Sequence, residues 1–292
     1  MPVAAVENHP IEALGAWLNA HRSIFVLTGA GVSTNSGIPD YRGADGEWKR
    51  RAPITYQAFL QDPAMRARYW ARSFVGWPVV ARAQPNQAHV ALATLEAQGK
   101  VSLLVTQNVD GLHSRAGQRH VIDLHGRIDQ VVCLSCTTRV SRALVQAVLE
   151  DAHPEWVSIS ASVAPDGDAD LDHLDFSHFT PPPCPRCGGL LKPDVVFFGE
   201  NVPRSRVETA AEVLLRSDAM LVAGSSLMVY SGFRFARMAH EAGLPLAILT
   251  RGITRADDLA TLKLDADCGT TLAAAFSHSS NPPDSSARFV RA

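Results

Sequence analysis

The stretch that decides the fold is Ile24-Phe25-Val26-Leu27-Thr28-Gly29-Ala30-Gly31. Its first four residues are a short apolar run, which predicts a buried strand. The run leads directly into two glycines, which let the backbone approach a pyrophosphate, and the N-terminus of a following helix would favour the ligand's charge. A Gly-x-Gly pair alone is equally compatible with a tight strand-to-helix turn, so other segments have to decide between these readings.

Similar apolar runs continue along the chain and alternate with helical patterns. The further predicted strands are residues 101–105, 121–124, 195–198, 219–223 and 246–249. The helical patterns cover residues 10–18, 88–97, 204–216 and 233–242. Strands that alternate with helices predict an α/β fold, here a Rossmann-like parallel sheet with helices on both faces.

Two segments interrupt this alternation and predict a division of the chain. Residues 45–85 mix aromatic residues, Arg and Pro, which indicates a small helical module, and residues 127–194 contain two Cys-x-x-Cys pairs. We therefore expect a Rossmann-like domain formed by residues 10–126 and 195–276, with the helical module inserted in its first part and a zinc-binding module between the two parts. The tail, residues 277–292, is rich in Ser, Pro and Asn and is expected to be disordered.

A polar stretch inside the second segment, residues 152–183, carries spaced aspartates. These are Asp166, Asp168, Asp170, Asp172 and Asp175. An EF-hand calcium loop needs Gly at its sixth position and Glu at its twelfth, and the stretch has neither. We therefore interpret it as a solvated surface loop.

The overall composition argues against several classes of protein. A chain of 292 residues with a net charge of -2 has no basic excess for nucleic acid or an anionic membrane, so neither is expected as a direct partner. No apolar run is long enough to span a bilayer. The first nine residues resemble neither a secretory signal nor an Arg- and Ser-rich presequence. These observations favour a cytoplasmic protein, with an organellar location open if a presequence has been removed.

Four of the five cysteines form two pairs, Cys133 with Cys136 and Cys184 with Cys187. Two cysteines on one tight turn bind two corners of a tetrahedral ion, and two such turns fill all four. A filled site leaves no position for water, so we predict a structural zinc ion. A redox dithiol is the alternative, and the presence of two pairs argues against it.

The segment after the first glycines departs from the dinucleotide fingerprint of hydride-transfer enzymes. That fingerprint has a third Gly where this chain has Thr34, and an acidic residue about 20 positions on, at the end of a second strand. The nearest acidic residues, Asp45 and Glu47, lie in a polar loop. The site is therefore predicted to bind a nucleotide without being an ordinary dehydrogenase. Residues 32–43, which directly follow the two glycines, are typical of a loop that forms a lid over a ligand.

Two further polar segments follow predicted strands. Residues 106–113 read Thr-Gln-Asn-Val-Asp-Gly-Leu-His, and the carboxyl ends of parallel strands are where α/β folds bind ligands. Their amide and carboxylate groups suit ribose hydroxyls and a carboxamide, although a capped turn uses the same residue types. The other segment, Leu124-His125-Gly126, comes at the end of the predicted strand 121–124. Among the eleven histidines, His125 is the favoured general base, and His113 and His120 are the alternatives.

Together these features resemble the sirtuins, the NAD-dependent protein lysine deacylases. The matching segments occur in family order over roughly residues 10–275. They are residues 29–42, residues 106–113, His125, the four paired cysteines, residues 198–203 (Phe-Gly-Glu-Asn-Val-Pro) and residues 224–227 (Gly-Ser-Ser-Leu). Residues 69–72, 76–78, 229–232 and 254–259, with the long insertion in the zinc module, are similar to the class II, sirtuin-4-like branch.

The resemblance implies an enzyme that consumes NAD as a co-substrate and holds one structural zinc ion. Its partner would be an acyl-lysine protein or peptide, and its products nicotinamide, free lysine and O-acyl-ADP-ribose. His125 would act as general base on a ribose hydroxyl, with Asn108 and Asp110 as further catalytic residues around a developing oxocarbenium centre. The implied NAD-binding residues are Gly29, Ala30, Gly31, Ile38, Pro39, Asp40, Tyr41, Arg42, Gln107, Asn108, Asp110, Gly224, Ser225, Ser226, Thr250, Gly252 and Cys268.

Three details of the resemblance concern specificity. Tyr69 and Arg72 match a Tyr-x-x-Arg pair that reads acidic acyl groups in the sirtuin-5-like enzymes, which implies an acyl pocket preferring carboxylated groups such as glutaryl. The alternative is that Arg72 is a surface residue. Residues 198–200 would line a peptide groove, where substrate pairs as an added strand. Many sirtuins have Asn where this chain has Thr250, which implies a different contact to the adenosine ribose.

Two other functions stay open on the sequence alone. Mono-ADP-ribosyl transfer or NAD hydrolysis breaks the same bond, and a catalytically silent NAD-binding module keeps the fold without the chemistry. The intact His125 and residues 107–110 argue against the silent module. Nicotinamide release that depends on an acylated peptide distinguishes the deacylase from the alternatives.

Overall fold

A computed structural model of the chain describes residues 10–41, 43, 45, 47, 49, 53–159, 161, 167–171 and 174–279. The tail that was expected to be disordered lies outside the described residues from 280 onward, whereas residues 277–279 continue the last helix. Within the described ranges, no helix is both long and apolar enough to cross a membrane.

The described part of the chain contains two sheets and a set of flanking helices. The strands are β1 (Ile24–Thr28), β2 (Val101–Thr106), β3 (Val121–Asp123), β4 (Gly126–Cys133), β5 (Arg139–Ser141), β6 (Leu191–Val195), β7 (Ala219–Ala223), β8 (Leu246–Leu249) and β9 (Leu262–Leu264). The α-helices are α1 (Pro10–Ala20), α2 (Tyr56–Gln61), α3 (Pro63–Arg82), α4 (Gln87–Ala97), α5 (Leu112–Arg115), α6 (Arg142–Ala152), α7 (Arg204–Arg216), α8 (Tyr230–Glu241) and α9 (Cys268–Ser279).

The larger sheet is parallel and confirms the predicted α/β class. Its strand order is β3-β2-β1-β7-β8-β9. Every residue of β1 and β7 is buried, because helices cover both faces. Leu14 of α1, Leu92 of α4 and Leu272 of α9 pack on one face. Leu214 of α7 and Phe235 of α8 pack on the other.

The predicted strand at residues 195–198 is wrong as a member of the parallel sheet. β6 ends at Val195 and pairs antiparallel with β4, in a smaller sheet of order β5-β4-β6. Phe197 instead enters an apolar cluster, where its ring centre lies 5.2 Å from that of Phe59 and 5.0 Å from that of Tyr69. An apolar run indicates that its residues are buried, but it does not distinguish a strand inside a sheet from a segment that packs against helices.

The predicted helical module and the cysteine-containing module share one hydrophobic cluster. Arg142 of α6 is fully buried between Trp70 and Trp77 of α3, with its guanidinium carbon 5.4 and 5.3 Å from the ring centres. The guanidinium donates to the Ser73 carbonyl oxygen (3.2 Å) and to Gln146 Oε1 (2.8 Å). Because a buried cation needs such partners, these contacts hold α3 against α6.

Several described residues of the insertion at residues 152–183 are buried, which corrects the interpretation of a solvated surface loop. Ala169, Leu171 and Phe179 are buried in the cluster that α3 and α6 share. Asp168 is buried as well, and the Ala169 amide donates to the Arg72 carbonyl oxygen at 3.2 Å. A few apolar residues among many polar ones are enough to attach the insertion to α3.

Candidate active site

The strand order creates a crevice between β1 and β7. The chain runs from β1 outward to β2 and β3 on one side, and from β7 outward to β8 and β9 on the other. In α/β folds, ligands bind outside the carboxyl ends of the strands at such a reversal. A cavity of about 820 Å³ lies there, lined by Gly29, Gln107 and Gly224 among others. Those three residues directly follow β1, β2 and β7.

Three glycines meet backbone to backbone at the reversal. The Gly29 amide donates to the Ala223 carbonyl oxygen (3.1 Å), and the Gly31 amide donates to that of Gly224 (2.9 Å). A Cβ atom on Gly29 would lie 2.8 Å from the Gly224 oxygen, and one on Gly224 would lie less than 3.0 Å from the Val32 nitrogen. The absence of side chains leaves a floor that a diphosphate can approach closely.

Gly224→Ala is expected to cost more stability than Gly99→Ala, its matched control. Both glycines are in the left-handed region, with φ of 62° and 75°, but a Cβ on Gly99 meets nothing within 4 Å. The control should lose about 1–2 kcal/mol of unfolding free energy from backbone strain alone. Gly224→Ala should lose more, and calorimetry should show weakened NAD binding, because Val32 and the glycine turn must shift. Equal losses in urea unfolding would contradict the close packing.

A polar network joins the segment after β2 to the loop after β1. The Asn108 Nδ2 atom donates to the Gly29 carbonyl oxygen (3.1 Å) and to Ser33 Oγ (3.0 Å). Ser33 Oγ donates to Asp110 Oδ2 at 2.7 Å, and the other Asp110 oxygen accepts from the Leu112 amide at 2.8 Å. Asn108 therefore keeps Oδ1 for a ligand. Ser33 was not among the predicted site residues, although it lies in the predicted lid.

Gln107, which follows β2, connects the end of that strand with the ends of three other parallel strands. Its Nε2 atom donates to Ser225 Oγ (2.8 Å), after β7, and to the Thr28 carbonyl oxygen (3.2 Å) at the end of β1. Its own carbonyl oxygen is the hydrogen-bond partner of His125, which follows β3. The crevice is thus braced by side-chain hydrogen bonds at the edge where a ligand enters.

His125 has the geometry and the charge state of a general base. Its Nδ1 atom lies 2.9 Å from the Gln107 carbonyl oxygen, which can only accept, so Nδ1 carries the proton and Nε2 carries a lone pair. Burial lowers the pKa of His125 to about 4, against the opposing effect of the hydrogen bond to Gln107. The imidazole is therefore neutral near pH 7, as a proton acceptor must be.

The two rival histidines lie elsewhere. His113 is buried, with Nε2 2.9 Å from Thr28 Oγ1 and its ring centre 4.7 Å from that of His89. Burial, with a smaller effect of His89, holds the pKa of His113 well below its usual value. His120 is exposed and lies 3.1 Å from the Glu96 carboxylate. Neither lines the cavity, so its geometry favours His125.

These residues fall within the span of one known protein family. The model described as "Sir2 family" matches residues 29–231, more than half of the chain. The chain belongs to the Sir2 family.

Curated relatives and solved structures agree with this membership. The chain is 57% identical over 271 residues to an NAD-dependent protein deacetylase of Xanthomonas axonopodis pv. citri (strain 306), covering 93% of this chain and 92% of the relative. It is 55% identical to NAD-dependent protein deacetylase 2 of Bradyrhizobium diazoefficiens, over 92% of this chain and 99% of the relative. A structure described as "Sir2-p53 peptide-NAD+" matches with a TM-score of 0.69 at 32% identity, covering 90% of this chain and 95% of that one.

Most of the predicted NAD-binding residues of this Sir2-family chain line the cavity. They are Gly29, Ala30, Gly31, Ile38, Asp40, Tyr41, Gln107, Asn108, Asp110, Gly224, Ser225, Ser226 and Cys268. Pro39, Thr250 and Gly252 do not line it, and Arg42 lies outside the described residues.

Two of the predicted NAD-binding residues lie in the segment after β8, away from the cavity lining. Thr250 is buried and its amide donates to the Leu264 carbonyl oxygen (3.1 Å), while the Gly252 amide donates to the Asp265 carboxylate (3.1 Å). The residue between them, Arg251, lines the cavity instead, with its guanidinium 3.7 Å from the Asp267 carboxylate. Arg251, which was not predicted, is therefore the residue of this turn that faces the cavity, and the contacts of Thr250 and Gly252 with NAD stay predictions.

The four paired cysteines converge as predicted for a structural zinc ion. Their sulfur atoms lie within 4.8 Å of one another, with 3.6 Å between Cys133 and Cys187 and 3.7 Å between Cys136 and Cys184. A tetrahedral ion with Zn–S bonds of about 2.3 Å separates its sulfur ligands by about 3.8 Å, so the cluster fits zinc. β4 starts next to His125 and ends at Cys133, and this strand connects the cysteine cluster to the cavity.

Proposed function

We propose that this Sir2-family chain is an NAD-dependent protein lysine deacylase of the class II, sirtuin-4-like branch, and that acetyl-lysine is among its substrates. The observation that carries the proposal is His125, a neutral base with its lone pair in a cavity built for a dinucleotide. The relatives at 55–57% identity are NAD-dependent protein deacetylases. The superposable Sir2 structure is described as containing a p53 peptide and NAD+.

The residues present fit NAD as a consumed co-substrate. When bound, NAD supplies a ribose carbon that bears a leaving group, nicotinamide. At the glycine floor of Gly29, Gly31 and Gly224, a Cβ atom on any of the three would lie 3.0 Å or less from the neighbouring turn, so the two turns pack backbone to backbone. The exposed backbone of such glycines is what a diphosphate can approach closely. Asn108 Oδ1 and the Asp110 carboxylate offer acceptors for hydroxyl or carboxamide protons. His125 then takes a proton at Nε2 from a sugar hydroxyl.

The rim of the same cavity suits an extended peptide. Residues 195–202 and 227–231 both line it. Phe198 lies outside both described sheets and forms an isolated parallel bridge with Thr55, in which its carbonyl oxygen accepts from the Tyr56 amide at 2.8 Å. A substrate backbone can add to such a segment as a strand, which brings one lysine side chain toward His125.

The direct test is nicotinamide release by the purified chain with NAD and a panel of acyl-lysine peptides. Release that requires an acylated peptide, together with free lysine and O-acyl-ADP-ribose, is the expected result. NAD cleavage without a peptide would instead establish an NAD glycohydrolase. Transfer of ADP-ribose to an unacylated protein would establish a transferase, and NAD binding without turnover on any peptide a silent module.

The acyl pocket is the finer part of the proposal. Tyr69 lines the cavity, as the resemblance implies, but Arg72 does not. The Arg72 Nε atom donates to Asp168 Oδ1 at 2.9 Å, and Asp168 itself lines the cavity. A carboxylated acyl chain that binds Arg72 must therefore compete with a carboxylate of the chain. We propose that binding of glutaryl-type groups depends on displacement of Asp168.

Asp168→Asn is expected to raise kcat/KM for a glutaryl peptide relative to an acetyl peptide. The gain should be about tenfold or more, since a hydrogen bond to a charged group contributes about 1.5–3 kcal/mol. Arg72→Met should reverse the gain in the double variant. Asp170→Asn is the matched control, because Asp170 is exposed two positions away. If Asp168→Asn changes both peptides equally, the carboxylate competition is absent.

A further inference from the structure

Ser231 contacts the side of His125 that a sugar hydroxyl has to reach. It is the second residue of α8, and its Oγ atom lies 2.8 Å from His125 Nε2. On the opposite side of the ring, Nδ1 meets the Gln107 carbonyl oxygen at 2.9 Å. The imidazole is thus held at both nitrogens, by the end of β2 and by the start of α8. Both His125 and Ser231 line the cavity.

The direction of each hydrogen bond follows from the chemistry of the partners. A carbonyl oxygen only accepts, so the proton of the neutral ring is on Nδ1. Nε2 is then an acceptor, and the Ser231 hydroxyl donates to it. Unlike the carbonyl, a serine hydroxyl both donates and accepts, so it can reverse direction when the ring becomes charged.

We propose that Ser231 is a positioning residue for His125, holding Nε2 as a proton acceptor before the reaction and accepting a hydrogen bond from it afterwards. The inference rests on the proposed function. In the step, the Ser231 hydroxyl first turns away from the single lone pair of Nε2. The O–H bond of the sugar hydroxyl then breaks, its proton forms an N–H bond with that lone pair, and its electron pair stays on the oxygen that attacks the acyl carbon. Ser231 Oγ then accepts from the new N–H and stabilises the imidazolium.

The residue after Ser231 supports this arrangement independently. A Cβ atom on Gly232 would lie less than 3.0 Å from Gln107 Oε1. Gln107 is the residue whose carbonyl oxygen fixes the tautomer of His125, and its amide is held by Ser225 and Thr28. The start of α8 thus fits the His125–Gln107 pair at two consecutive positions: a hydroxyl at 231 and no side chain at 232.

The experiment compares Ser231→Ala with Ser231→Thr, which keeps the hydroxyl. Ser231→Ala is expected to lower kcat on an acetyl-lysine peptide by about tenfold or more, the effect of one hydrogen bond to a charged group, with KM values nearly unchanged. Ser231→Thr should retain most of the activity. Thermal unfolding of both variants checks that the fold is intact. Unchanged kcat in the alanine variant, or an equal loss in both variants, would overturn the inference.

A second readout does not depend on turnover. In the NAD-free protein at pH 7, the ¹⁵N resonances of the His125 ring, assigned with His125→Asn, should report a proton on Nδ1 and a hydrogen-bonded Nε2. Ser231→Ala should move the Nε2 resonance to its non-hydrogen-bonded position, and Ser231→Thr should not. An unmoved resonance in the alanine variant refutes the contact. If the wild type releases no nicotinamide with any acyl peptide, the proposed function fails, and these spectra still decide on Ser231.

Discussion

His125→Ala is expected to lower kcat/KM for an acetyl-lysine peptide by about 10²–10⁴-fold, the usual contribution of a positioned general base. The reason is that Nε2 of His125 carries the lone pair in the cavity, while Nδ1 is committed to the Gln107 carbonyl oxygen. NAD should still bind, because the glycine floor and the Asn108–Ser33–Asp110 network are unchanged. Steady-state kinetics, with NAD affinity measured by calorimetry, check both parts.

The matched control is His120→Ala. His120 is the residue before β3, whereas His125 follows that strand, and its exposed side chain pairs with Glu96. Its removal should leave kcat/KM within about twofold of the wild-type value, because His120 does not line the cavity. The fold should also be kept, since an exposed ion pair contributes only about 0–1 kcal/mol to the free energy of unfolding. Equal activity of His125→Ala and the wild type would show that His125 is not a catalytic residue. A collapse of NAD affinity in His125→Ala would show that the side chain acts in binding instead.

Cys184→Ser is expected to abolish stoichiometric zinc and to destabilise the whole chain. Structural zinc sites contribute about 10–16 kcal/mol in small peptides. Here three thiolates and an apolar core remain, so we expect a loss of about 5 kcal/mol, a fall in Tm of roughly 10–20 °C for a chain of this size. The loss should extend to catalysis, because Cys184 and the cavity-lining Tyr69 belong to one hydrophobic cluster.

Zinc content by mass spectrometry and thermal unfolding test this prediction, with Cys268→Ser as the control. Cys268 is buried on α9, where its thiol donates to the Leu249 carbonyl oxygen at 3.3 Å and burial raises its pKa to about 12. This variant removes a cysteine without touching the cluster, so one zinc ion per chain should remain. Retention of one zinc ion and an unchanged Tm in Cys184→Ser would refute the structural role.

Some expectations from the sequence stay predictions. They are the cytoplasmic location, the absence of direct nucleic-acid binding, the disorder of residues 280–292 and the role of Arg42 in NAD binding. The sirtuin-4-like assignment and the acyl preference belong to the proposed function. The acyl preference is proposed to depend on displacement of Asp168 from Arg72. Measurement of glutaryl against acetyl turnover in Asp168→Asn addresses that point directly.

The errors in the sequence interpretation share one cause. Residues 195–198 were apolar enough for a strand of the main sheet, yet Phe197 packs on Phe59 and Tyr69, and no local pattern reports which partners an apolar run will have. In the insertion, polar residues outnumber the buried Ala169, Leu171 and Phe179. The average composition of the segment is therefore polar and does not reveal that these three residues are buried. The Arg72–Asp168 ion pair spans 96 positions, so no spacing rule includes it.

What the sequence by itself determined is local in its chemistry. The apolar run that ends in Gly29-Ala30-Gly31 predicted the central strand and its nucleotide turn, and the two Cys-x-x-Cys turns predicted the metal site, because strand periodicity and metal chelation act over a few residues. Only the tertiary structure decided which side chains meet. Gly224 reaches the first glycine turn and Ser231 reaches His125 across 106 positions, since the parallel sheet brings the ends of distant strands to one edge.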